Sequence, residues 1–500
     1  MSLVFDPYRS ALAWADVLAV TRAGEDAWRQ RREQRLDELL THAARRSPLY
    51  RERLGTRDVA ALQLADIAPV DKGELMARFD QWVTDPVLTL PALREHVRDP
   101  ARIAEAFAGR YLVWESSGSS GEPALFVQDA QSMAVSDALE GARGPVAASL
   151  SGPLGLGGAW PRLAFVGAVD GHFASVVSLR RACRVNPWLA ATVRCFSFLQ
   201  PIEQLVAALD AWSPAVLSTY PSMAWVLAQE RAAGRLRIAP AALWTGGETL
   251  TPPMRAALTR AFGATVRDTY GASECLEIAS ECPQGALHLH ADWVILEPVD
   301  ERHRPVPAGE VGETTLLTNL ANRVQPVIRY DIGDRVRLRP GPCACGCTLP
   351  MIEVQGRQDD VLSLGGAGRR RVHLAPLALT TVLEDEGGVF DFELHQRGER
   401  QLRLVLHGAD AQPERLRRAR AALRRWLDAR GLAGVQLHGH CAVDGGRGRS
   451  GKRRRVCRDP SRPRQPGAST PRARSAAKRV RQASKRPSSS ASRSSRIRFT

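Results

Sequence analysis

The 500-residue chain has no apolar run near the ~20 residues that a membrane-spanning helix requires. Its opening, MSLVFDPYRS, places Asp6 and Arg9 where a secretory segment must be uninterrupted and apolar, so no cleavable targeting peptide is expected. Nine cysteines are too few and too irregularly spaced for a disulfide framework. Five of them fall between Cys275 and Cys347, which points to local use in a reducing, cytoplasmic setting. No internal repeat is present. Aromatic residues are only 6%, yet hydrophobic residues reach 44% and charged residues 24%, the balance of a soluble globular protein rather than a disordered or fibrous one.

A net charge of +16 has the look of a nucleic-acid binder until it is located. Residues 451–500 hold 17 Lys and Arg against one acid, Asp459, and the rest of the chain is neutral. This Arg/Ser/Pro-rich tail has too little apolar surface to offset the entropy of ordering and is expected to be disordered. It is a candidate for non-specific contact with nucleic acid or an anionic surface; a solvated appendage, or an out-of-frame ending, is the competing reading.

The first hundred residues read as helical: Leu36, Leu39 and Leu40 recur at helical spacing, and Ser47-Pro48 ends the run. From about 110 to 340, short apolar segments such as LAFVGAVDG (163–171), AVLSTY (215–220) and VRDTYGASE (266–274) alternate with helical stretches, as in a sheet covered by helices. Residues 313–338 read as strands around a loop. After Gly356-Arg-Gln-Asp-Asp360, two alternating strands (Phe390, Phe392, Leu394; Leu402, Leu404, Leu406) and a helix with Leu416, Ala419, Leu423, Trp426 and Leu427 on one face form a small α+β lobe.

The chemistry-bearing segments begin with Glu115-Ser-Ser-Gly-Ser-Ser-Gly-Glu-Pro123. Its glycines and hydroxyls, between VWE and ALFV, form a loop whose N–H and O–H groups suit polyphosphate oxygens; a linker has the same composition. Tyr270-Gly-Ala-Ser-Glu274, Tyr330-Asp-Ile-Gly-Asp334 and Gly356-Arg-Gln-Asp-Asp360 follow in order. Taken singly, these are equally consistent with surface turns. Cys282 and His288, followed by Cys343 and Cys345, are donors that tetrahedral zinc selects, with free thiols beside a histidine as the alternative. His288 and His290 alternate on one strand, so only one faces the thiolates, and His288 is the choice.

In order and spacing, the four motifs resemble the adenylate-forming superfamily of acyl- and aryl-CoA ligases. LLTHAARRSPLYRERL (39–54) and PVDKGELMARF (69–79) bring the chain nearer to its phenylacetate–CoA ligase branch, which includes F390 synthetase-related proteins. The resemblance implies an α/β fold with mixed sheets and helices: a large nucleotide- and acyl-binding domain over 1–355, a small C-terminal domain that moves over 356–456, and the tail over 457–500. It implies that Ser116, Ser117, Gly118, Ser119, Ser120 and Gly121 grip the β- and γ-phosphates of ATP. Glu122 stands where the family commonly has lysine. Gly246, Gly247 and Glu248 would flank the adenine and Tyr270 would pack on it, with Gly271 in the same turn. Ser273 would lie near the phosphate, Glu274 would hold Mg²⁺, Asp334 would bind the ribose hydroxyls, and Arg357 and Asp359 would form the hinge. Lys452, in GRSGKRRRV, falls where the family places a catalytic lysine; the alternative is that it merely starts the basic tail. The acyl pocket is implied around 169–173, Tyr220 and Gly247, with His172 a candidate for the substrate carboxylate or an ordinary packing histidine. Cys347 is left out of the zinc set because relatives often carry another residue there.

The implied activity is ATP-dependent adenylation of an aryl or hydrophobic carboxylic acid, followed by transfer to coenzyme A. The alternatives are transfer to a separate carrier protein, an amine or a cofactor, and a degenerate nucleotide- or nucleic-acid-binding protein.

Overall fold

The computed structural model describes residues 3–55, 57–58, 62–116, 123–145, 161–357, 360–366, 371–374, 376–442 and 454–458. Ser117, Gly118, Ser119, Ser120, Gly121, Glu122, Asp359 and Lys452 lie outside the described residues.

The helical start follows from its capping chemistry. Asp6 accepts the N–H groups of Tyr8 and Arg9 ahead of Pro7–Arg22, and Pro7 supplies a φ already suited to a first turn. The next helix, Glu25–Arg46, stops at Ser47, which also caps Pro48–Leu54 and donates its hydroxyl to the carbonyls of Gln81 and Trp82. Ser47-Pro48 is thus both a stop and a start, because proline excludes helical geometry at the residue before it. No helix among the described residues is long and apolar enough to cross a membrane.

A nine-stranded mixed sheet forms the centre. Its order is Asp334–Arg339, Met351–Arg357, Leu287–Leu289, Cys275–Glu281, Thr265–Ala272, Ala242–Gly246, Val216–Thr219, Leu163–Gly167 and Val193–Ser197. The last five run parallel to one another and the others pair antiparallel. Leu163–Gly167 is buried at four of its five positions, the continuous burial expected of a parallel strand covered on both faces. Leu205, Leu209, Met223, Leu227, Met254 and Leu258 come from the covering helices and join Val166, Leu217 and Leu243 in one apolar cluster. A second cluster joins the N-terminal helices to the antiparallel half of the sheet through Leu39, Tyr50, Trp82, Trp114, Phe126, Ile278 and Ile328.

The small lobe has its own core of Leu364, Leu379, Leu383, Phe392, Leu394, Leu402, Leu404, Leu423 and Leu427. The two expected strands and the helix Pro413–Asp428 are present. The structure adds a second helix, Pro376–Asp385, and extends the sheet to four strands with Gln436–Cys441 and Val456–Arg458. Neither added strand carries a readable period: one contains a glycine and two histidines, and the other has only three residues. Pairing to a formed neighbour defines them, not local pattern.

Met1–Asp459 is one compact unit, so the two lobes meet directly. Glu384, 2% exposed, accepts from the Thr251 hydroxyl and pairs with Arg455. Arg455 also reaches the Thr249 carbonyl (Nη2···O 3.3 Å), and Trp225 lies against Phe390 with ring centroids 4.3 Å apart.

Candidate active site

Four segments far apart in sequence converge at the turn between Thr265–Ala272 and Cys275–Glu281. The Tyr270 hydroxyl donates to Asp334 Oδ2 (2.7 Å), and Arg357 Nη1 donates to Asp334 Oδ1 (3.1 Å). Asp334 and Arg357 face each other in register on adjacent antiparallel strands. The Tyr330 hydroxyl interacts with Glu274, whose carboxyl is raised above the ordinary glutamate range chiefly by burial. Tyr270 is pushed far up by burial first and then by Asp334. Asn319 Nδ2 supports the turn by donating to the Glu274 carbonyl (3.0 Å).

The base of the Ser/Gly loop is fastened to the same place. Trp114 Nε1 donates to the Ser273 carbonyl (2.9 Å), and Ser116 bonds Ala124 through both its N–H (2.8 Å) and its hydroxyl (2.9 Å). Leu112–Glu115 and Leu125–Gln128 form an antiparallel stem that Trp114 ties to Ser273.

Backbone geometry explains two glycines. A Cβ on Gly271 would lie 1.9 Å from the Leu276 carbonyl oxygen, so no other residue fits this turn. Gly247 has φ +76°, the left-handed region, at the end of the strand Ala242–Gly246.

Not every expected residue points into this cluster. The Glu248 carboxylate accepts the Ser222 N–H and hydroxyl, each at 3.0 Å, and so caps the helix Pro221–Ala232, whose own N-cap Tyr220 makes no side-chain cap bond. Tyr220 is 7% exposed within the core of the parallel sheet. His172 is 1% exposed, with Nε2 3.0 Å from the Asp99 carbonyl and its ring edge-on to His96. These contacts give His172 and Tyr220 packing positions, and the carbonyl of His172 accepts the Glu115 N–H (2.7 Å) beneath the loop stem. A small cavity of about 30 Å³ lies beside this turn, between the helix Ala130–Arg143 and the strand Cys275–Glu281, lined by Gln128, Ser132, Ser136, Leu276, Glu277 and Asn319.

Sequence reasoning gave no role to Trp114, Asn319 or Tyr330. An aromatic at the head of YDIGD was the available signal for Tyr330; nothing local marks the other two. Arg329, just before Tyr330, adopts φ +49° while its guanidinium bonds Glu297 (3.1 Å) and the carbonyls of Ala65 (3.1 Å) and Ile67 (2.6 Å). These buried bonds hold a conformation that costs about 1 kcal/mol or more and so aim Tyr330 at Glu274.

Beneath Tyr270, Asp268 accepts the Thr245 hydroxyl (2.6 Å) and is pushed up to about 7, by burial first. Between its ordinary value and about 7, the folded protein holds a proton that the unfolded chain has lost. Stability therefore falls as pH rises through that window, and the penalty is complete above it. Asp268→Asn is expected to raise the melting temperature at about pH 8 and to flatten its dependence down to about pH 4, by calorimetry. An unchanged or lower value at the alkaline end would contradict this account.

The four metal-type donors also converge. One donor atom from each of Cys282, His288, Cys343 and Cys345 lies within 4.8 Å of the others. Cys282 and Cys343 sulfurs are 3.8 Å apart, and Cys345 Sγ is 3.4 Å from His288 Nε2. Two thiolates at Zn–S distances of about 2.3 Å and a tetrahedral angle stand about 3.8 Å apart. His288 Nδ1 donates to the Leu349 carbonyl (2.8 Å), which leaves Nε2 free to ligate, and the Cys347 N–H donates to Cys345 Sγ (3.4 Å). His290, by contrast, turns its Nδ1 to the Glu277 carbonyl (3.2 Å).

No family model matches the chain. Its sequence is 26% identical over 369 residues to phenylacetate-coenzyme A ligase of Aromatoleum evansii, covering 70% of this chain and 75% of that relative. Among solved structures it superposes on 2-hydroxyisobutyryl-CoA ligase in the postadenylation state with 2-HIB-AMP, with a TM-score of 0.63 at 20% identity over 87% of this chain and 90% of the other. Against the same ligase with 2-HIB-AMP and CoA in the thioesterification state, the TM-score is 0.53 at 20% identity, over 88% and 91%. The fold is that of the adenylate-forming ligases. In sequence, the chain resembles the phenylacetate–coenzyme A ligase branch of proteins with that fold, as its ordered motifs imply.

Proposed function

We propose that this protein is an AMP-forming acid–thiol ligase: it adenylates an aryl or hydrophobic carboxylic acid with ATP and transfers the acyl group to coenzyme A. The observation that carries this reading is the single hydrogen-bonded cluster of Tyr270, Asp334 and Arg357 beside Tyr330–Glu274, with the Ser/Gly loop stem tied to Ser273.

Asp334 offers two carboxylate oxygens to the ribose hydroxyls, and Arg357 and Tyr270 hold it in place; charge-assisted bonds of this kind are strong and directional. Tyr270 presents its ring to the adenine, with Gly247 allowing close approach. Ser116, Ser117, Gly118, Ser119, Ser120 and Gly121 cradle the β- and γ-phosphates. Glu274 is a hard, desolvated carboxylate oriented by Tyr330, which fits Mg²⁺; that ion neutralises phosphate charge when bound. The substrate carboxylate attacks the α-phosphorus, pyrophosphate leaves, and Lys452 stabilises the charge that builds on the α-phosphate. Glu248 acts indirectly, by capping the helix that begins at Pro221.

Rotation near Asp359 then withdraws Lys452 and opens the path for the thiol. The contacts at Glu384, Thr251 and Arg455 define one lobe arrangement. Better superposition on a postadenylation state than on a thioesterification state supports assigning it to the first half-reaction.

Incubation with ATP, Mg²⁺ and a panel of aryl and aliphatic acids is expected to release pyrophosphate, and to yield an acyl-CoA by mass spectrometry when coenzyme A is added. Acid-dependent pyrophosphate without thioester would move the acceptor to a carrier protein, an amine or a cofactor. No acid-dependent pyrophosphate from any acid would overturn the reading.

Cys282, His288, Cys343 and Cys345 are assigned to a structural zinc that ties loops of the large domain and takes no part in the reaction. Protein purified without added zinc is expected to carry about one equivalent. Cys343→Ser together with Cys345→Ser should lose it and melt at a lower temperature. Well under one equivalent in the parent protein would remove the site.

A further inference from the structure

The second face of the small-lobe sheet holds a constellation that the adenylation cluster does not use. Along Phe392–Gly398, alternate side chains point to opposite faces. Phe392 and Leu394 enter the lobe core, so Glu393 and His395 lie on the other side. The returning strand Val456–Arg458 pairs parallel with this one and sets Cys457 opposite His395. Cys457 Sγ lies 3.0 Å from His395 Nδ1, and His395 Nε2 lies 2.9 Å from Glu393 Oε2. Thiol, imidazole and carboxylate thus stand in line, each within hydrogen-bond reach of the next.

This is the arrangement of an activated nucleophile: a thiol, the base that takes its proton, and the group that orients the base. Glu393 fixes the ring with Nε2–H toward itself, which directs Nδ1 at the sulfur. Proton transfer then gives a thiolate beside an imidazolium that Glu393 stabilises. The His395 imidazole is drawn up to about 9, by Cys457 first and Glu393 next. The side chains of His395 and Glu393 remain 22% and 17% exposed, and Cys457 is half-buried, so the three groups are not sealed in the lobe core.

Position suggests the electrophile. Arg455, two residues before Cys457, bonds the Thr249 carbonyl, which lies just past the Gly246–Glu248 segment assigned to the adenine site. Two residues of strand span about 6.6 Å, so the thiol sits close to the seam where the lobes meet.

We propose that Cys457, with His395 as base and Glu393 as its orienting partner, is a nucleophilic site that takes activated acyl groups from acyl adenylates. The source of the adenylate rests on the function proposed above. The thiolate sulfur attacks the acyl carbonyl carbon, the bond between that carbon and the phosphate oxygen breaks, and AMP leaves with the electron pair. The imidazolium keeps the thiol proton, and the product is an S-acyl thioester on Cys457.

The test supplies chemically prepared phenylacetyl adenylate to the full chain without coenzyme A, followed by acidic digestion and mass spectrometry. Acylation is expected to concentrate on Cys457, to vanish in Cys457→Ser, and to slow about tenfold or more in His395→Gln and in Glu393→Gln, each checked for an unchanged melting temperature. Should one of the last two fail to fold, the other decides. Acylation spread over Cys441 and the other cysteines, or a rate indifferent to His395 and Glu393, would overturn the proposal. Because the adenylate is supplied, this result is independent of whether the protein makes one; a failure of the ligase reading shows separately, as absent pyrophosphate.

Discussion

Lys452→Ala is expected to lower the rate of acyl-adenylate formation by about 10²–10³-fold, the scale seen when one group that stabilises transition-state charge is removed. Binding of ATP should survive, because the ribose, base and phosphate contacts are assigned to Asp334, Tyr270 and the Ser/Gly loop. The split is the diagnostic: pre-steady-state pyrophosphate release slows while the Kd for ATP, measured by calorimetry, changes little. Arg455, three positions further on, bonds the large domain at the Thr249 carbonyl. Thioester formation from supplied acyl adenylate should be affected far less, since the proposed mechanism gives that half-reaction a different lobe arrangement. Unchanged adenylation would assign Lys452 to the basic tail.

Asp334→Ala acts on binding. It removes the acceptor shared by Tyr270 and Arg357 and takes away the carboxylate assigned to the ribose. Hydrogen bonds to charged groups contribute about 1.5–3 kcal/mol each; losing one of them should raise the KM for ATP by about 10–100-fold. The KM for the acid should move little. Asp334→Asn keeps the shape and one acceptor and should recover part of the loss, which separates a ligand contact from a purely structural one. Equal changes in both KM values, or none, would contradict the ribose assignment.

Both predictions act on residues that short motifs mark in the sequence, and those motifs have local physical causes. YGASE must make a turn that admits only glycine at Gly271, because any Cβ there would strike the Leu276 carbonyl. GRQDD and YDIGD carry charged side chains at the ends of strands that pair in register, Asp334 with Arg357. Local chemistry of that kind is written in consecutive residues. The zinc-type donors were legible for the same reason: a thiol or an imidazole announces its chemistry wherever the fold places it, and the choice of His288 over His290 followed from the two-residue period of a strand.

The pocket residues show the opposite case. His172 and Tyr220 have the right chemistry for a substrate wall, yet they are buried against Asp99 and the sheet core. Glu248, in a segment expected at the adenine, turns its carboxylate to the Ser222 helix start. Side-chain direction at a loop depends on which distant neighbour offers the better partner, and no sequence interval encodes that.

Sequence alone settled the type of each chemical group, the helix-covered strands and the helical beginning, because capping, apolar period and glycine-only turns are local properties of the chain. Tertiary structure alone decided the company those groups keep. Trp114 reaches Ser273 across 159 positions, Tyr330 finds Glu274, and Cys457 meets His395 through a three-residue strand that has no signature of its own. Such pairings arise from sheet register and burial, which are properties of the folded whole and of no single segment.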